Sequence, residues 1–257
     1  QHRADRCRDH WTQALDASLN GADVSTRHDP ASQTAAEFFA DRVPEYDSLI
    51  RRAVSHYDEM TQALLFELPP ESRNIVELGC GTGNLSLHLA AKFPEATLTV
   101  VDASPEMVEV TRHRLAQAAP AFAARAKFVT ARFEELVHNG EADLVTSAIA
   151  LHHVTDKAPL YRMVHSLLCS GGRFCFADQL RMQEAGAQER HWQEFLAFWR
   201  RPGNVSESEI GELLAHSELH DHYETLGDQF RLLEQAGFSE IDAPWRNGFW
   251  CVMTATA

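Results

Sequence analysis

Lysine is scarce in this chain. Of 257 residues, 23 are lysine or arginine against 37 aspartate or glutamate, a formal net charge of −14. Lys92, Lys127 and Lys157 are the only lysines. A nucleic-acid backbone is bound by clustered cations, so a broad nucleic-acid face is not expected. The arginines pair locally (Arg51-Arg52, Arg112 with Arg114, Arg200-Arg201), which reads first as solvated surface and leaves a small anionic ligand open. Cysteine is sparse too: Cys7, Cys80, Cys169, Cys175 and Cys251 are odd in number and form no Cys-x-x-Cys pair. Reduced thiols and a cytoplasmic location are expected. No apolar run approaches the roughly 18 residues that a membrane span needs. The first residues are charged and carry no apolar signal region, so none is expected to direct export.

What is present is a glycine-rich turn. Ile75-Val76-Glu77-Leu78-Gly79-Cys80-Gly81-Thr82-Gly83-Asn84-Leu85 runs a short apolar strand into three glycines at alternating positions, then into a helical pattern. Such a loop bends sharply and lets a ligand approach the backbone. It opens on a helix N-terminus, where free N–H groups favour an anionic or polar ligand. No Gly-Lys-Ser/Thr follows, which excludes a phosphate-binding loop. Cys80 within the loop reads as a small packing residue. Thr97-Leu98-Thr99-Val100-Val101-Asp102 then gives a second strand ending in an acid. In a doubly wound sheet that acid lies beside the first loop and can hold both ribose hydroxyls of a nucleoside. Its plainer role is an N-cap for the helix beginning at Ser104-Pro105.

Strands expected near 74–78, 97–102, 127–130, 143–148 and 173–178 alternate with helices near 83–93, 105–118 and 157–168, which implies a parallel sheet. Ser170-Gly171-Gly172 reads as the turn into the fifth strand. Residues 180–224 break the alternation with a polar, aromatic, helical stretch that carries Trp192, Phe195, Phe198 and Trp199. A helix at Leu226–Ala236 ends at Gly237. Strand six at 239–245, a hairpin at Arg246-Asn247-Gly248 and strand seven at Phe249–Thr254 follow. Towards the N-terminus, a short helix is expected at His10–Leu19. Apolar spacing over Thr34–Leu68 gives two helices divided at Pro44 and ended by Pro69-Pro70.

Glu-Leu-Gly-Cys-Gly-Thr-Gly followed by Val-Asp-Ala-Ser-Pro-Glu-Met resembles the class I S-adenosyl-L-methionine-dependent methyltransferases, over roughly residues 40–257. Dinucleotide enzymes space the loop as Gly-x-Gly-x-x-Gly instead. The resemblance implies an α/β fold: a Rossmann-like, seven-stranded, mostly parallel sheet with an antiparallel last strand, N-terminal helices and a helical insertion after strand five. It implies an N-terminal helical arm and lid over 1–72 and a methyltransferase domain over 73–257, with a lid insertion at about 180–224. It implies S-adenosyl-L-methionine as cofactor, with S-adenosyl-L-homocysteine as product. The donor would run along Glu77, Gly79, Cys80, Gly81, Asp102, Ala103, Met107, Arg132, Phe133 and Ala148. Glu77 would order the loop and approach the methionine amine, and Asp102 would take the ribose. Arg132 departs from the pattern, since many relatives place there an Asp that accepts from the adenine amine, and a cation cannot accept that bond.

Methyl transfer is an in-line displacement at a sulfonium, so the protein mainly aligns the acceptor and manages its proton. His152 and His153, in the loop after strand four, are the candidate catalytic residues, because imidazole titrates near neutrality. The alternative for each is packing on the donor or capping. Tyr46, His153, Arg201 and Tyr223 are candidate acceptor contacts. His216 and His220, four apart, share a helix face but lack a third ligand at a recognised spacing, so no metal site is expected. The expected partner is a small-molecule acceptor, with neither nucleic acid nor membrane, and a homodimer is left open. A second resemblance, to carboxy-S-adenosylmethionine synthases of transfer RNA wobble-uridine modification, rests on Val43-Pro44-Glu45-Tyr46-Asp47 and on Arg201 with Ser206-Glu207. It implies that Arg201 holds the donor's extra carboxylate. Gly81-Thr82-Gly83 stands where those synthases carry Ser-Leu-Gly, which favours methyl transfer. A donor-binding protein without catalysis is a third option.

Overall fold

A computed structural model describes residues 46–136 and 141–257. The expected helix at 10–19, the helix before Pro44 and most of the 1–72 arm lie outside these residues. So do Cys7, Val43 and Glu45.

The described residues begin with two helices, α1 (Tyr46–Ala53) and α2 (Tyr57–Glu67), and then alternate. Strand β1 (Asn74–Leu78) leads to α3 (Asn84–Lys92), and β2 (Thr97–Asp102) leads to α4 (Pro105–Ala118). A one-turn helix α5 (Pro120–Ala123) precedes β3 (Lys127–Thr130). After β4 (Ala142–Ala148) come α6 (Lys157–Leu167) and β5 (Leu168–Gln179). Two helices, α7 (Ala185–Trp199) and α8 (Glu207–His220), form the insertion. Helix α9 (Leu226–Ala236) and the pair β6 (Ser239–Asn247) and β7 (Trp250–Thr256) finish the fold.

The seven strands run in the order β3-β2-β1-β4-β5-β7-β6. The four pairings from β3 to β5 are parallel, while β7 lies antiparallel to both β5 and β6. The order reverses between β1 and β4, and a crevice opens at the carboxyl ends there. Three details differ from the sequence expectation, the first being that the single helix expected between Pro44 and Pro69 is divided into α1 and α2, with His56 at φ 61° before α2. Strand β5 starts at Leu168, because Leu168 already pairs with Ala142 before a register shift absorbs the Gly171-Gly172 bend. The last hairpin turns on Gly248-Phe249, since Asn247 still pairs with Trp250, and Gly248 supplies the positive φ of 56°.

Helix starts follow side-chain chemistry. Ser104 caps α4 by accepting from the Met107 N–H, Asp156 caps α6, and Thr225 caps α9. Ser206 and Glu209 form a reciprocal capping box on α8. Ser104 is therefore the cap beside Pro105, and the plainer role considered for Asp102 is filled by its neighbour.

Helices cover both sheet faces, so strand residues of both parities are buried. Ile75, Leu144, Cys175, Ala177 and Val252 face one core, with Met60 and Leu64 of α2, Leu89 and Leu115. Val76, Val145, Phe174, Phe176 and Met253 face the other, with Tyr161 and Leu233. Each fully buried large apolar side chain contributes on the order of 1.5–3 kcal/mol. The insertion and α1 lock together above the strand ends. Trp199 Nε1 donates to the Ala53 carbonyl at 2.7 Å, and Arg52 reaches Glu209 at 2.8 Å and the Asn204 carbonyl at 2.7 Å. The Arg52 bond also holds the Glu209 carboxyl down at about 2.

Candidate functional site

The crevice holds two cavities that share the walls Tyr46, Ile50, Ile149 and His153. The first, of about 660 Å³, lies over the glycine loop. Glu77, Gly79, Cys80, Gly81, Asp102, Ala103, Met107, Arg132, Phe133 and Ala148 all line it, so the residues drawn from distant stretches of sequence do meet.

Each loop residue has a reason for its place. Gly79 has φ +72°, and a Cβ there would come within 2.2 Å of the Ala150 Cβ, so only glycine fits. Asp102 accepts from the Gly81 N–H and the Ser104 N–H, both at 2.9 Å. It thus clamps the loop to β2 and keeps lone pairs for a ligand. Burial pushes its carboxyl up, against the two backbone N–H bonds that lower it. Glu77 Oε2 accepts from Ser86 at 2.5 Å, while Oε1 is buried and has no hydrogen-bond partner among the described residues. Burial raises Glu77 to about 8. An orphaned carboxyl oxygen in this position fits a cationic ligand group. Arg132 is exposed and sits at the start of a single 3-10 turn, Phe133–Glu135, with Phe133 beneath Gly79. Asp47, noticed in sequence only as part of a motif, ties α1 to the loop through Thr82, Asn84 and Arg114.

The second cavity, of about 90 Å³, lies between α1, α7 and α8. Its walls include Trp192, Phe195, Trp199 and Trp250, and beneath them lies a buried group of imidazoles and carboxylates. His152 Nδ1 meets Asp178 Oδ1 at 2.5 Å, and its backbone N–H reaches Asp178 Oδ2 at 2.9 Å. His153 Nδ1 lies 2.9 Å from Asp221 Oδ1, and His152 Nε2 and His216 Nε2 each lie 3.8 Å from the same oxygen. Tyr223 donates to Asp221 Oδ2 at 2.5 Å. Burial alone would depress His152, but Asp178 and Asp221 overcome it and raise its pKa. His153 is lowered, chiefly by burial, and burial takes His216 down to about 3. Asp221 is held low despite burial by the histidines around it.

Ile149, at the mouth of this loop, has φ 57°, a left-handed conformation that β-branched residues seldom adopt and that costs on the order of 1–3 kcal/mol. The strain falls where the two cavities meet.

Of the expected acceptor contacts, Tyr46, His153 and Tyr223 line the second cavity. Arg201 does not. It is exposed, stacks on Phe198, and borders a third, open cavity of about 750 Å³ on the outer side of α7. The β-turn region after Trp199 points it away from the crevice, and the carboxylate role considered for it has no geometric support. His220 does not share a two-histidine site with His216 alone. The convergent set is His152, His153 and Asp221, whose ligand atoms all lie within 4.8 Å of one another. Sequence reasoning missed Asp178 and Asp221. Asp178 carried one usable signal, its position at the carboxyl end of a strand beside the switch point. Asp221 carried none, since it comes from an insertion.

Residues 75–172 match a family described as methyltransferase domain. The matched stretch, 98 of the 257 residues, is similar to methyltransferase domains and forms the glycine-loop half of the sheet. Among curated proteins, the domain is 30% identical over 104 residues to malonyl-[acyl-carrier protein] O-methyltransferase 1 of Ilyobacter polytropus, covering 40% of this chain and 37% of that one. It is 35% identical over 119 residues to trans-aconitate 2-methyltransferase of Methylobacterium radiotolerans, covering 45% and 43%. The chain thus matches less than half the length of these relatives. Among solved structures, Haemonchus contortus phosphoethanolamine N-methyltransferase 2 in complex with S-adenosyl-L-methionine has the same fold, with a TM-score of 0.63 at 14% identity over 88% of this chain and 60% of that one. Among the described residues no helix is long and apolar enough to cross a membrane.

Proposed function

We propose that the protein transfers a methyl group from S-adenosyl-L-methionine to a small acceptor with an apolar body and one nucleophilic heteroatom. The observation that carries this is the pairing of cavities across His153: a glycine-loop cradle on one side, an aromatic chamber on the other. S-adenosyl-L-methionine supplies an activated methyl on a sulfonium. Glu77 Oε1 is the partner for the donor's ammonium, and Asp102 for its ribose hydroxyls. The flat walls of Trp192, Phe195 and Trp250 hold the acceptor body and keep water out of the in-line path. His153 meets the acceptor heteroatom, and His152, bound to Asp178, is a positioning residue. Among the described residues no lysine or arginine lines the aromatic chamber, which disfavours an acceptor with several carboxylates, such as the one named for the Methylobacterium relative. The synthase reading is not favoured, because Arg201 lies on a different surface.

Calorimetry with S-adenosyl-L-methionine tests the donor half, and absence of binding by the folded protein would refute the reading. Transfer of a labelled methyl group to a panel of small phenols, alcohols and amines tests the acceptor half. Label on a polycarboxylate alone would refute the acceptor class.

A further inference from the structure

The buried group beneath the aromatic chamber contains more convergence than acid–base chemistry requires. Asp221 Oδ1 is buried and accepts no hydrogen bond among the described residues, yet three imidazole nitrogens face it at 2.9, 3.8 and 3.8 Å. His152 and Asp221 are each turned inward by a partner on the far side. Asp178 engages His152 Nδ1, which leaves Nε2 as the inward atom. Tyr223 engages Asp221 Oδ2, which leaves Oδ1 as the inward atom. Outer partners of this kind, a carboxylate behind a histidine above all, orient metal ligands.

We propose that His152 Nε2, His153 Nδ1 and Asp221 Oδ1 bind one divalent transition-metal ion, with His216 Nε2 beside them as a fourth ligand. One ligand atom from each of His152, His153 and Asp221 lies within 4.8 Å of the others. Ligands held about 2.0–2.2 Å from an ion stand about 3–3.5 Å apart, so closing the set takes side-chain adjustments and no backbone change. Imidazoles with one carboxylate suit Zn²⁺ or Fe²⁺ and do not suit Mg²⁺ or Ca²⁺, which take oxygen ligands. The site draws on two sequence stretches, the loop after β4 and the end of α8, and it sits on the wall between the two cavities. The ion would bring a fixed positive charge to a chamber with no lysine or arginine among its described lining residues. As a Lewis acid it would bind an acceptor hydroxyl oxygen and favour loss of its proton. That use rests on the methyl-transfer reading; the binding site itself rests on the geometry alone.

The test uses the full chain, stripped with a chelator and titrated with Co²⁺ by visible absorption and with Zn²⁺ by calorimetry. One equivalent should bind, with Co²⁺ giving ligand-field bands of a nitrogen–oxygen site. Asp221→Asn and His153→Gln should each weaken binding at least tenfold, and Asp178→Asn by about 10–100-fold, the usual effect of removing an outer partner. His191→Gln, half-buried on the outer side of α7, should bind as the parent does. No binding by the parent, or binding unchanged in Asp221→Asn and His153→Gln, overturns the site. Loss of binding in His191→Gln points to adventitious surface ligation and overturns it as well. Circular dichroism and S-adenosyl-L-methionine calorimetry on the same samples establish that each variant is folded. They also separate the two failures: a parent that binds donor but no ion refutes only the metal site, and one that binds ion but no donor refutes only the methyl-transfer reading.

Discussion

The donor cavity and the acceptor chamber share a wall but are built in opposite ways. Much of the donor cavity comes from one βαβ unit: Glu77 to Leu85 and Asp102 to Met107 lie within about thirty residues, and its key contacts are backbone groups placed by glycine. The acceptor chamber is assembled from α1, the loop after β4, the end of β5, both insertion helices and β7, and its key contacts are buried ionisable side chains. A backbone cradle is fixed by turn geometry and tolerates little change. A chamber of side chains on separate elements can be re-lined without disturbing the sheet. The two halves are expected to fail independently, and that separation can be measured.

The largest expected effect is in the acceptor half. Asp178→Ala removes the Nδ1 partner of His152 and leaves that nitrogen buried without it. Breaking a buried pair from one side costs about 3–5 kcal/mol. Chemical denaturation should show a loss of stability of that size, while donor affinity in the folded protein should stay nearly unchanged, because Asp178 does not line the donor cavity. A fall in donor affinity matching the fall in stability would join the two halves into one unit.

Asp102→Ala makes the converse test. It removes the acceptor of the Gly81 and Ser104 N–H groups and the proposed ribose contact. Donor affinity should fall by about 1–3 kcal/mol, the cost of leaving such partners unsatisfied. Calorimetry checks this, and the Co²⁺ bands should be unaffected. Normal donor binding would mean that Asp102 only shapes the loop.

The same division explains what could be read in the sequence. The sheet, its reversed order and the glycine cradle follow from period and spacing: alternating strands and helices, glycines where φ turns positive, an acid at the end of β2. The terminal hairpin was placed one residue early, because strand pairing extends through Asn247 and outweighs the turn preference of Asn-Gly. The acceptor side was legible only as shape. His152 and His153 stood out because they are adjacent in a loop, but their partners Asp178 and Asp221 lie 26 and 68 residues further on, by the numbering of the paired atoms. Nothing in local spacing reports a carboxylate brought in by a helical insertion. Arg201 illustrates the reverse error: its sequence position suggested a substrate contact, yet the tight chain reversal after α7, with Gly203 at φ +79°, turns it outward.

The smallest effect expected sharpens the donor half most. Glu77 is raised to about 8 by burial, so at neutral pH its carboxyl is mostly protonated without a ligand. Its unfolded value is near 4.5, so its contribution to stability is full below about 4.5 and is lost as pH rises through about 8. A donor ammonium beside Oε1 favours the carboxylate and pulls that value down. Donor binding should therefore release a fraction of a proton at about pH 7, where the amino group itself is still largely protonated. Affinity should rise by up to about 1.4 kcal/mol per pH unit towards pH 8 and fall above it, as the donor's amino group loses its proton. Calorimetry in two buffers of different ionisation enthalpy measures the release directly, and Glu77→Gln should remove it. Proton release that persists in Glu77→Gln would assign the titrating group elsewhere, and no release in the parent would mean that the ammonium sits away from Oε1. Either result would leave the glycine cradle in place and move the donor's methionine end, the part of the cavity nearest the acceptor chamber.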